Sequence, residues 1–187
     1  SGRCTCEDAR VTALLTVDLG NSRLKACLWR GEDAPRARFE GDGTDLGAYE
    51  RWLRENPAGR AGLSSVAGAE RTARVRALLA EVVPEVSAPL AAIENLCQSP
   101  ERVGHDRLHA AAGAAALLGR SALVVNAGTA LTVDVLRVAG ARASFLGGAI
   151  APGPGLLARA LAEGTAQLPL VVPRPGVPAL GRETEAA

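Results

Sequence analysis

Two segments of the 187-residue chain share one pattern, in which an apolar strand ends in a glycine turn and a second strand follows at once. The apolar run 11–17 leads into Asp18-Leu-Gly-Asn-Ser22, and the run 122–125 leads into Asn126-Ala-Gly-Thr129. In P-loop and Rossmann turns a helix follows the glycines, so neither of those turns matches. The repeat therefore predicts a duplicated α/β domain with two phosphate-binding hairpins that face across a cleft.

The first turn carries groups that suit phosphate oxygens. Gly20 lets a ligand approach the main chain closely. Asn21 and Ser22 offer side-chain donors, and the turn itself offers N–H groups. Asp18 can hold a hydrated Mg²⁺ that binds phosphate. An ordinary hairpin turn is the alternative for this stretch taken alone, because Gly-Asn is a common hairpin pair.

Composition excludes several classes of protein. The chain is 48% hydrophobic with 3% aromatic residues and no methionine, so we expect a core of Ala, Leu and Val. A net charge of +1 gives no indication of nucleic-acid or anionic-membrane binding. No apolar run is long enough to span a membrane, and residues 1–10 do not resemble a signal peptide. The four cysteines match neither a zinc pattern nor a disulfide framework, which favours a reduced, cytoplasmic compartment.

Hydrophobic periodicity predicts the remaining elements. Strands are predicted at 11–17, 24–30, 36–40, 62–66, 86–90, 122–125, 131–138 and 145–150, and helices at 46–55, 71–82, 109–118 and 156–162. We expect Asp45 to be the N-cap of the first helix. Residues 41–43 are predicted to form a turn, and residues 95–103 a polar loop.

A third motif, Gly104-His-Asp-Arg107, stands where a loop passes into a helix. Asp106 beside an arginine at a helix N-terminus stays ionised, and near a substrate hydroxyl it can accept the proton. Arg107 can grip a carboxylate or phosphate. Helix capping by Asp106 is the simpler interpretation of this motif alone. His105 and His109 have the spacing of a metalloprotease helix, but no third ligand is indicated.

A fourth motif, Gly147-Gly-Ala-Ile-Ala-Pro-Gly153, is a glycine-dense strand end that precedes a helix. The glycines allow close approach either of a ligand or of a neighbouring backbone, and these two interpretations are compatible.

The order of these motifs resembles the type III pantothenate kinases, a family that also includes the Bvg accessory factor proteins. The resemblance covers Leu14 to about Ala187. The matching motifs are Asp18-x-Gly-Asn-Ser22, Gly104-x-Asp-Arg107, Ala127-Gly-Thr129, Gly147-Gly-x-Ile-x-Pro-Gly153 and Thr165-Ala-x-Leu-Pro169.

The resemblance implies the acetate and sugar kinase/Hsc70/actin-like fold, which is ribonuclease H-like, with ATP between two α/β domains. The N-terminal domain would span 11–118, and an incomplete C-terminal domain would span 119–187. It also implies a cytoplasmic homodimer that phosphorylates pantothenate with ATP to 4′-phosphopantothenate, the first step of coenzyme A synthesis. A non-catalytic, actin-like nucleotide-binding protein that acts through partner contacts is the alternative.

The resemblance also implies roles for single residues. ATP phosphates and Mg²⁺ would be bound by Asp18, Gly20, Asn21, Ser22, Arg23 and Lys25, with Thr129 touching ATP. Pantothenate would be bound by Gly104, His105, Arg107, Cys97 and Thr184, with Asp106 as general base. The position of Asn126 would hold a monovalent cation, K⁺ or NH₄⁺.

Three features depart from the family pattern. Asn126 stands where the family usually has Asp, and Cys97 stands where it usually has a Tyr that packs on the substrate. The family pattern continues after the position of Ala187 with further helices and strands, including a glycine-rich segment near the adenosine. The sequence is therefore expected to be a fragment or a shortened homologue.

Overall fold

The structure, a computed structural model, describes residues 13–31 and 34–172, which divide into two compact units. The first unit contains the described residues up to Ala92 together with Glu101–His109. The second contains Ile93–Pro100 and the described residues from Ala110 onward. The domain bounds 11–118 and 119–187 stay a prediction.

The first unit is a five-stranded mixed sheet with two helices on it. Its elements are β1 (Leu14–Leu19), β2 (Arg23–Trp29), β3 (Ala37–Asp42), α1 (Gly47–Glu55), β4 (Arg60–Ser65), α2 (Ala69–Val82) and β5 (Glu85–Ser87). The strand order is β3-β2-β1-β4-β5, with β1, β2 and β3 antiparallel and β4 parallel to both β1 and β5.

Strict alternation along β1 and β2 builds the core of this unit. Leu15, Val17 and Leu19 are buried on one face of β1, whereas Thr16 and Asp18 lie on the other face and are exposed. The helices bury their apolar stripes in the same core, through Tyr49 and Leu53 of α1 and through Val75 and Leu79 of α2. The period-2 pattern thus sends the acid at the end of β1 away from the core.

The second unit is a four-stranded sheet in the order β6-β9-β8-β7. Its strands are β6 (Glu94–Asn95), β7 (Ala122–Ala127), β8 (Ala130–Ala139) and β9 (Arg142–Pro152), and the last helix is α4 (Pro154–Gly164). Strands β7, β8 and β9 form an antiparallel meander, with a register shift between Asp134 and Leu136. The helix α3 (His105–Leu118) precedes β7 along the chain.

Three local predictions are wrong. Gly41 and Asp42 belong to β3 rather than to a turn, because pairing with β2 continues to Arg23 opposite Asp42. Leu46, not Asp45, is the N-cap of α1, although the Asp45 carboxylate accepts a hydrogen bond from Gly47 N–H (3.0 Å). The prediction of a polar loop at 95–103 is also wrong, because this segment begins inside β6 and contains a 3₁₀ turn at Pro100–Arg102.

Bounds also differ where local periodicity is weak. The helix predicted to begin at His109 begins at His105, since the Gly104 carbonyl accepts hydrogen bonds from the N–H groups of Arg107 and Leu108. Among the described residues, no helix has both the length and the apolar character needed to cross a membrane.

Candidate functional site

The turn between β1 and β2 is fixed by backbone hydrogen bonds and by one arginine from α2. Gly20 N–H donates to Arg23 O at 2.9 Å, which closes the turn. Arg71 Nη1 donates to Asn21 O at 2.6 Å, and Arg71 Nη2 donates to Gly20 O at 3.2 Å. The side chains of Asn21 and Ser22 are exposed. The turn therefore presents polar groups to solvent from a constrained backbone.

Asp18 lies in a row of polar side chains across three strands. Lys25 of β2 and Ser64 of β4 are its neighbours in register, so all three project from the same face of the sheet. The Asp18 carboxylate keeps solvent contact, but neighbouring protein atoms exclude part of its hydration. That desolvation raises the pKa of Asp18, and the charge of Asp106 raises it further. Lys25 and His109 act on the same pKa in the opposite direction.

The sequence motifs missed two polar atoms in this unit. Ser64 Oγ and His109 Nε2 are both buried, and neither has a hydrogen-bond partner among the described residues. Ser64 is next to Asp18 in the sheet, and His109 is close enough for its charge to act on Asp18. The strand-end signal that selected Asp18 also applies to Ser64, whereas the spacing of His109 from His105 indicates only a metal site.

The predicted phosphate ligand Arg23 forms an ion pair with Glu40. Its Nη1 donates to Glu40 Oε1 at 2.5 Å, and both side chains are largely exposed, at 69% and 51%. The Arg23 guanidinium lowers the pKa of Glu40 chiefly through this hydrogen bond. Because exposed ion pairs contribute little stability, Arg23 can exchange this partner for another anion at small cost.

The third motif forms the start of α3. His105 and Asp106 occupy its first turn and are exposed, while Arg107 is half-buried. Asp106 Oδ1 accepts a hydrogen bond from Arg107 N–H at 2.9 Å. A Cβ at Gly104 would lie 2.5 Å from Asp106 Oδ1, so the glycine leaves room for the carboxylate. The motif thus brings Gly104, His105, Asp106 and Arg107 together at one helix end.

In the second unit, Asn126 begins a chain of hydrogen bonds. Its Nδ2 donates to Thr132 Oγ1 at 3.4 Å, and Thr132 Oγ1 donates to Asp134 Oδ2 at 3.2 Å. Asn126 is exposed, but Thr132 is 8% exposed and Asp134 is completely buried. A carboxylate is therefore present on this sheet, deeper than the position where the resemblance places one.

Two glycines of the fourth motif allow backbone segments to meet. A Cβ at Gly148 would lie 2.1 Å from Val133 O, and a Cβ at Gly153 would lie 2.0 Å from Gly128 O. Gly153 N–H donates to Thr129 O at 2.9 Å, which ties the start of α4 to the turn between β7 and β8. The Thr129 side chain is exposed.

The remaining predicted substrate contacts are Cys97 and Thr184. Cys97 is half-buried, and its Sγ lies 3.6 Å from the position that a Cβ would take at Gly147, whose φ is +105°. Thr184 lies outside the described residues.

The carboxylates of the first unit fit a divalent cation. Desolvation and the charge of Asp106 both make the ionised form of Asp18 less favourable, and a cation beside Asp18 would relieve that cost. Asn126 offers only an amide oxygen to a monovalent cation. Within 13–31 and 34–172 no group of three or more His, Cys, Asp or Glu residues is arranged to hold a metal directly.

Comparisons with known proteins decide the family. The model of the family described as type III pantothenate kinase matches residues 14–187, nearly the whole chain. The chain belongs to the type III pantothenate kinase family. Its relatives include type III pantothenate kinases from Dechloromonas aromatica and Aromatoleum aromaticum, each 40% identical over 166 residues, or 83% of this chain.

The chain spans 66% of the length of the Dechloromonas relative and 65% of the Aromatoleum relative, just under two thirds. Among solved structures, a Campylobacter jejuni protein assigned to the Baf family of transcriptional activators aligns with a TM-score of 0.54 at 19% identity. That alignment covers 92% of this chain and 70% of the Campylobacter protein. The predicted actin-like α/β fold is therefore confirmed for this member of the pantothenate kinase family.

Proposed function

We propose that this protein transfers the γ-phosphoryl group of ATP to pantothenate and forms 4′-phosphopantothenate, the first step of coenzyme A synthesis. The observation that carries the proposal is the match of residues 14–187 to the pantothenate kinase family.

One carboxylate of the first unit, Asp106, is suited to act as the general base. Asp106 is exposed in the first turn of α3, and its Oδ1 accepts a hydrogen bond from Arg107 N–H at 2.9 Å. In the proposed reaction it accepts the proton of the pantothenate hydroxyl while that oxygen attacks the γ-phosphorus, and ADP leaves. Phosphoryl transfer depends mainly on positioning and charge neutralisation, so few further groups are required.

The nucleotide is proposed to bind the β1–β2 turn through Gly20, Asn21, Ser22, Arg23 and Lys25. Thr129 of the second unit is proposed as a further ATP contact. Asp18 is proposed to bind Mg²⁺ through water, and the bound ion supplies positive charge to the phosphate oxygens.

Pantothenate is proposed to contact Gly104, His105 and Arg107, and also Cys97 and Thr184. The guanidinium of Arg107 is the group suited to the pantothenate carboxylate, because its planar fork matches two oxygens. A K⁺ or NH₄⁺ ion is proposed at Asn126, where the amide oxygen is a neutral ligand.

We further propose a homodimer in the cytoplasm. Exposed apolar side chains on the second unit support an association surface, among them Leu123 at 66%, Val125 at 58% and Ile150 at 64%.

The test is a direct assay on protein made from the complete reading frame. ATP, Mg²⁺, K⁺ and pantothenate should give equal amounts of ADP and 4′-phosphopantothenate, with the product measured by mass spectrometry. A reaction without pantothenate separates kinase activity from simple ATP hydrolysis. Protein that binds ATP yet forms no 4′-phosphopantothenate would overturn the proposal and favour the non-catalytic accessory role.

A further inference from the structure

The β1–β2 turn is held from outside the hairpin by Arg71, a residue of the first turn of α2. Its two terminal nitrogens donate to two consecutive carbonyls, Nη1 to Asn21 O at 2.6 Å and Nη2 to Gly20 O at 3.2 Å. Arg71 Nε is buried and has no partner among the described residues, so these two contacts hold the guanidinium. A planar fork is well suited to grip two neighbouring oxygens at once.

This contact fixes the direction of two peptide N–H groups. In a planar trans peptide the C=O and the following N–H point in opposite directions, and no cis peptide occurs in the described chain. Because the carbonyls of Gly20 and Asn21 point toward Arg71, the N–H groups of Asn21 and Ser22 point away from it. Successive N–H groups directed to one side form a concavity that binds anions.

We propose that Arg71 is a positioning residue, which orients the N–H groups of Asn21 and Ser22 toward the phosphates of ATP without touching the nucleotide itself. This inference rests on the proposed function, because it takes the turn to be the phosphate site. Without Arg71 the two peptide planes are free to rotate, and either carbonyl can then face the phosphate oxygens and repel them.

Gly43 provides an independent observation. A Cβ at Gly43 would lie 2.1 Å from Arg71 Nη2, so only glycine leaves space for the guanidinium at this position. The φ of Gly43 is not in the left-handed region, so the glycine is needed for space rather than for its backbone conformation. Hydrogen bonds from Thr44 lower the pKa of the neighbouring Asp42 carboxylate, and the positive charge of Arg71 also lowers it.

The first experiment compares Arg71→Lys and Arg71→Met with the parent protein by calorimetric titration of Mg·ATP. Lysine keeps the positive charge but lacks the planar guanidinium that holds two carbonyls at once, and methionine lacks both. Both variants should therefore bind ATP roughly tenfold or more weakly than the parent. The KM for ATP should rise while the KM for pantothenate stays unchanged. Arg76→Met is the matched control, since Arg76 is an exposed arginine on the same helix.

A second variant guards against simple misfolding. Gly43→Ala leaves Arg71 in the chain, but the added methyl group displaces the end of a flexible side chain. We expect Gly43→Ala to lose ATP affinity as Arg71→Met does, with faster amide exchange at residues 20–22 and a cooperative melting transition. Guanidinium ion at millimolar concentration should restore part of the ATP affinity of Arg71→Ala and have no effect on the parent.

The outcomes separate this inference from the proposed function. Unchanged ATP affinity in Arg71→Met, or an equal loss in Arg76→Met, would overturn the role of Arg71 even if the parent phosphorylates pantothenate. A loss confined to the Arg71 and Gly43 variants supports the role, even if the parent forms no 4′-phosphopantothenate. A parent protein that does not bind Mg·ATP would overturn both.

Discussion

At the scale of single residues, the ionisation of Asp18 is disfavoured by its surroundings in the first unit. Desolvation and the charge of Asp106 both raise the pKa of Asp18 above its ordinary value of 3.8. The ionised form is thus less favourable in the folded protein than in the unfolded chain. Such a cost at a strand end is typical of a group kept for function rather than for stability.

This unfavourable ionisation gives a prediction for Asp18→Asn. A raised pKa means that the stabilising contribution of Asp18 is present below about 3.8 and is lost as the pH rises through the folded-state value. Removing the charge should therefore raise the melting temperature at pH 7, and the gain should shrink as the pH falls toward 4. The same variant should lose Mg²⁺-dependent ATP binding.

Asp42→Asn is the control of opposite sign. Hydrogen bonds from Thr44 lower the pKa of Asp42, so its contribution is present above the ordinary value and is lost at lower pH. The Asp42→Asn variant should be less stable than the parent at pH 7.

For Asp18→Asn, lower stability together with unaltered ATP affinity would show that the β1–β2 turn is an ordinary hairpin turn.

Asp106→Asn distinguishes a general base from a helix cap. The amide still accepts a hydrogen bond, so the start of α3 should be kept and ATP affinity should stay nearly unchanged. Loss of the proton acceptor should lower kcat by roughly a hundredfold or more. Steady-state kinetics and ATP titration on one preparation provide the test, and turnover equal to that of the parent would disprove the assignment.

At the scale of elements, the meander of β7, β8 and β9 depends on close backbone approach. A Cβ at Gly153 would meet Gly128 O at 2.0 Å and Thr129 O at 2.9 Å, both main-chain atoms that cannot swing aside. The turn between β7 and β8 and the start of α4 are therefore one rigid arrangement. The backbone conformation of the turn at Thr129 depends on this close contact with Gly153.

We expect Gly153→Ala to destabilise the second unit by about 1–3 kcal/mol or more through overpacking. Gly155→Ala is the matched control, because nothing lies within 4 Å of its added Cβ and alanine favours the helix. Chemical denaturation of both variants gives the comparison. Equal stability of the two would show that the contact at Gly153 relaxes without cost.

The hydrogen-bond chain from Asn126 to Asp134 bears on the cation. An amide offers a dipole where a carboxylate offers a full charge, which at about 4 Å and an effective dielectric near 20 is worth roughly 4 kcal/mol before desolvation. Asn126→Asp should therefore tighten K⁺ binding about tenfold, measured as the rise in melting temperature with K⁺ at constant ionic strength. Tight K⁺ binding of equal strength in both forms would indicate that buried Asp134 supplies the charge.

At the scale of the whole molecule, the two units bury very different amounts of apolar surface. The core cluster of buried side chains lies entirely between Ala13 and Val83, in the first unit. Among the described residues of the second unit, the buried apolar side chains are Ala111, Leu136 and Phe145. Leu117 is 86% exposed, and Leu123 of β7 is 66% exposed.

This difference predicts unequal local stability in the 187-residue chain. Amide hydrogen exchange should be slow in β1, β2 and β4 and markedly faster in β7 and β9, because regions with few buried apolar contacts open more easily. Mass spectrometry of peptides from both units provides the measurement. Equal protection in the two sheets would contradict the prediction and indicate that the apolar faces of the second unit are covered in solution.

Local sequence determined most of the elements and the positions of the β1–β2 and β7–β8 turns along the chain. Period-2 alternation places Asp18 opposite the buried face of β1, and glycine followed by polar residues predicts both turns, because these preferences depend on neighbours a few residues away. The predicted bounds of β3 and α3 were wrong and β6 was missed, because pairing or packing with distant segments overrides local preference there. The motif order was enough to indicate the family.

Only the tertiary structure decided which distant groups act on these turns. Arg71 reaches Asn21 across 50 residues, Gly43 leaves space for its guanidinium, and Ser64 comes beside Asp18 through parallel pairing. The complete burial of Asp134 likewise follows from the packing of the sheet. Periodicity reports which face of an element is buried, but not which residue of a remote element meets it, because strand register and helix packing set that contact.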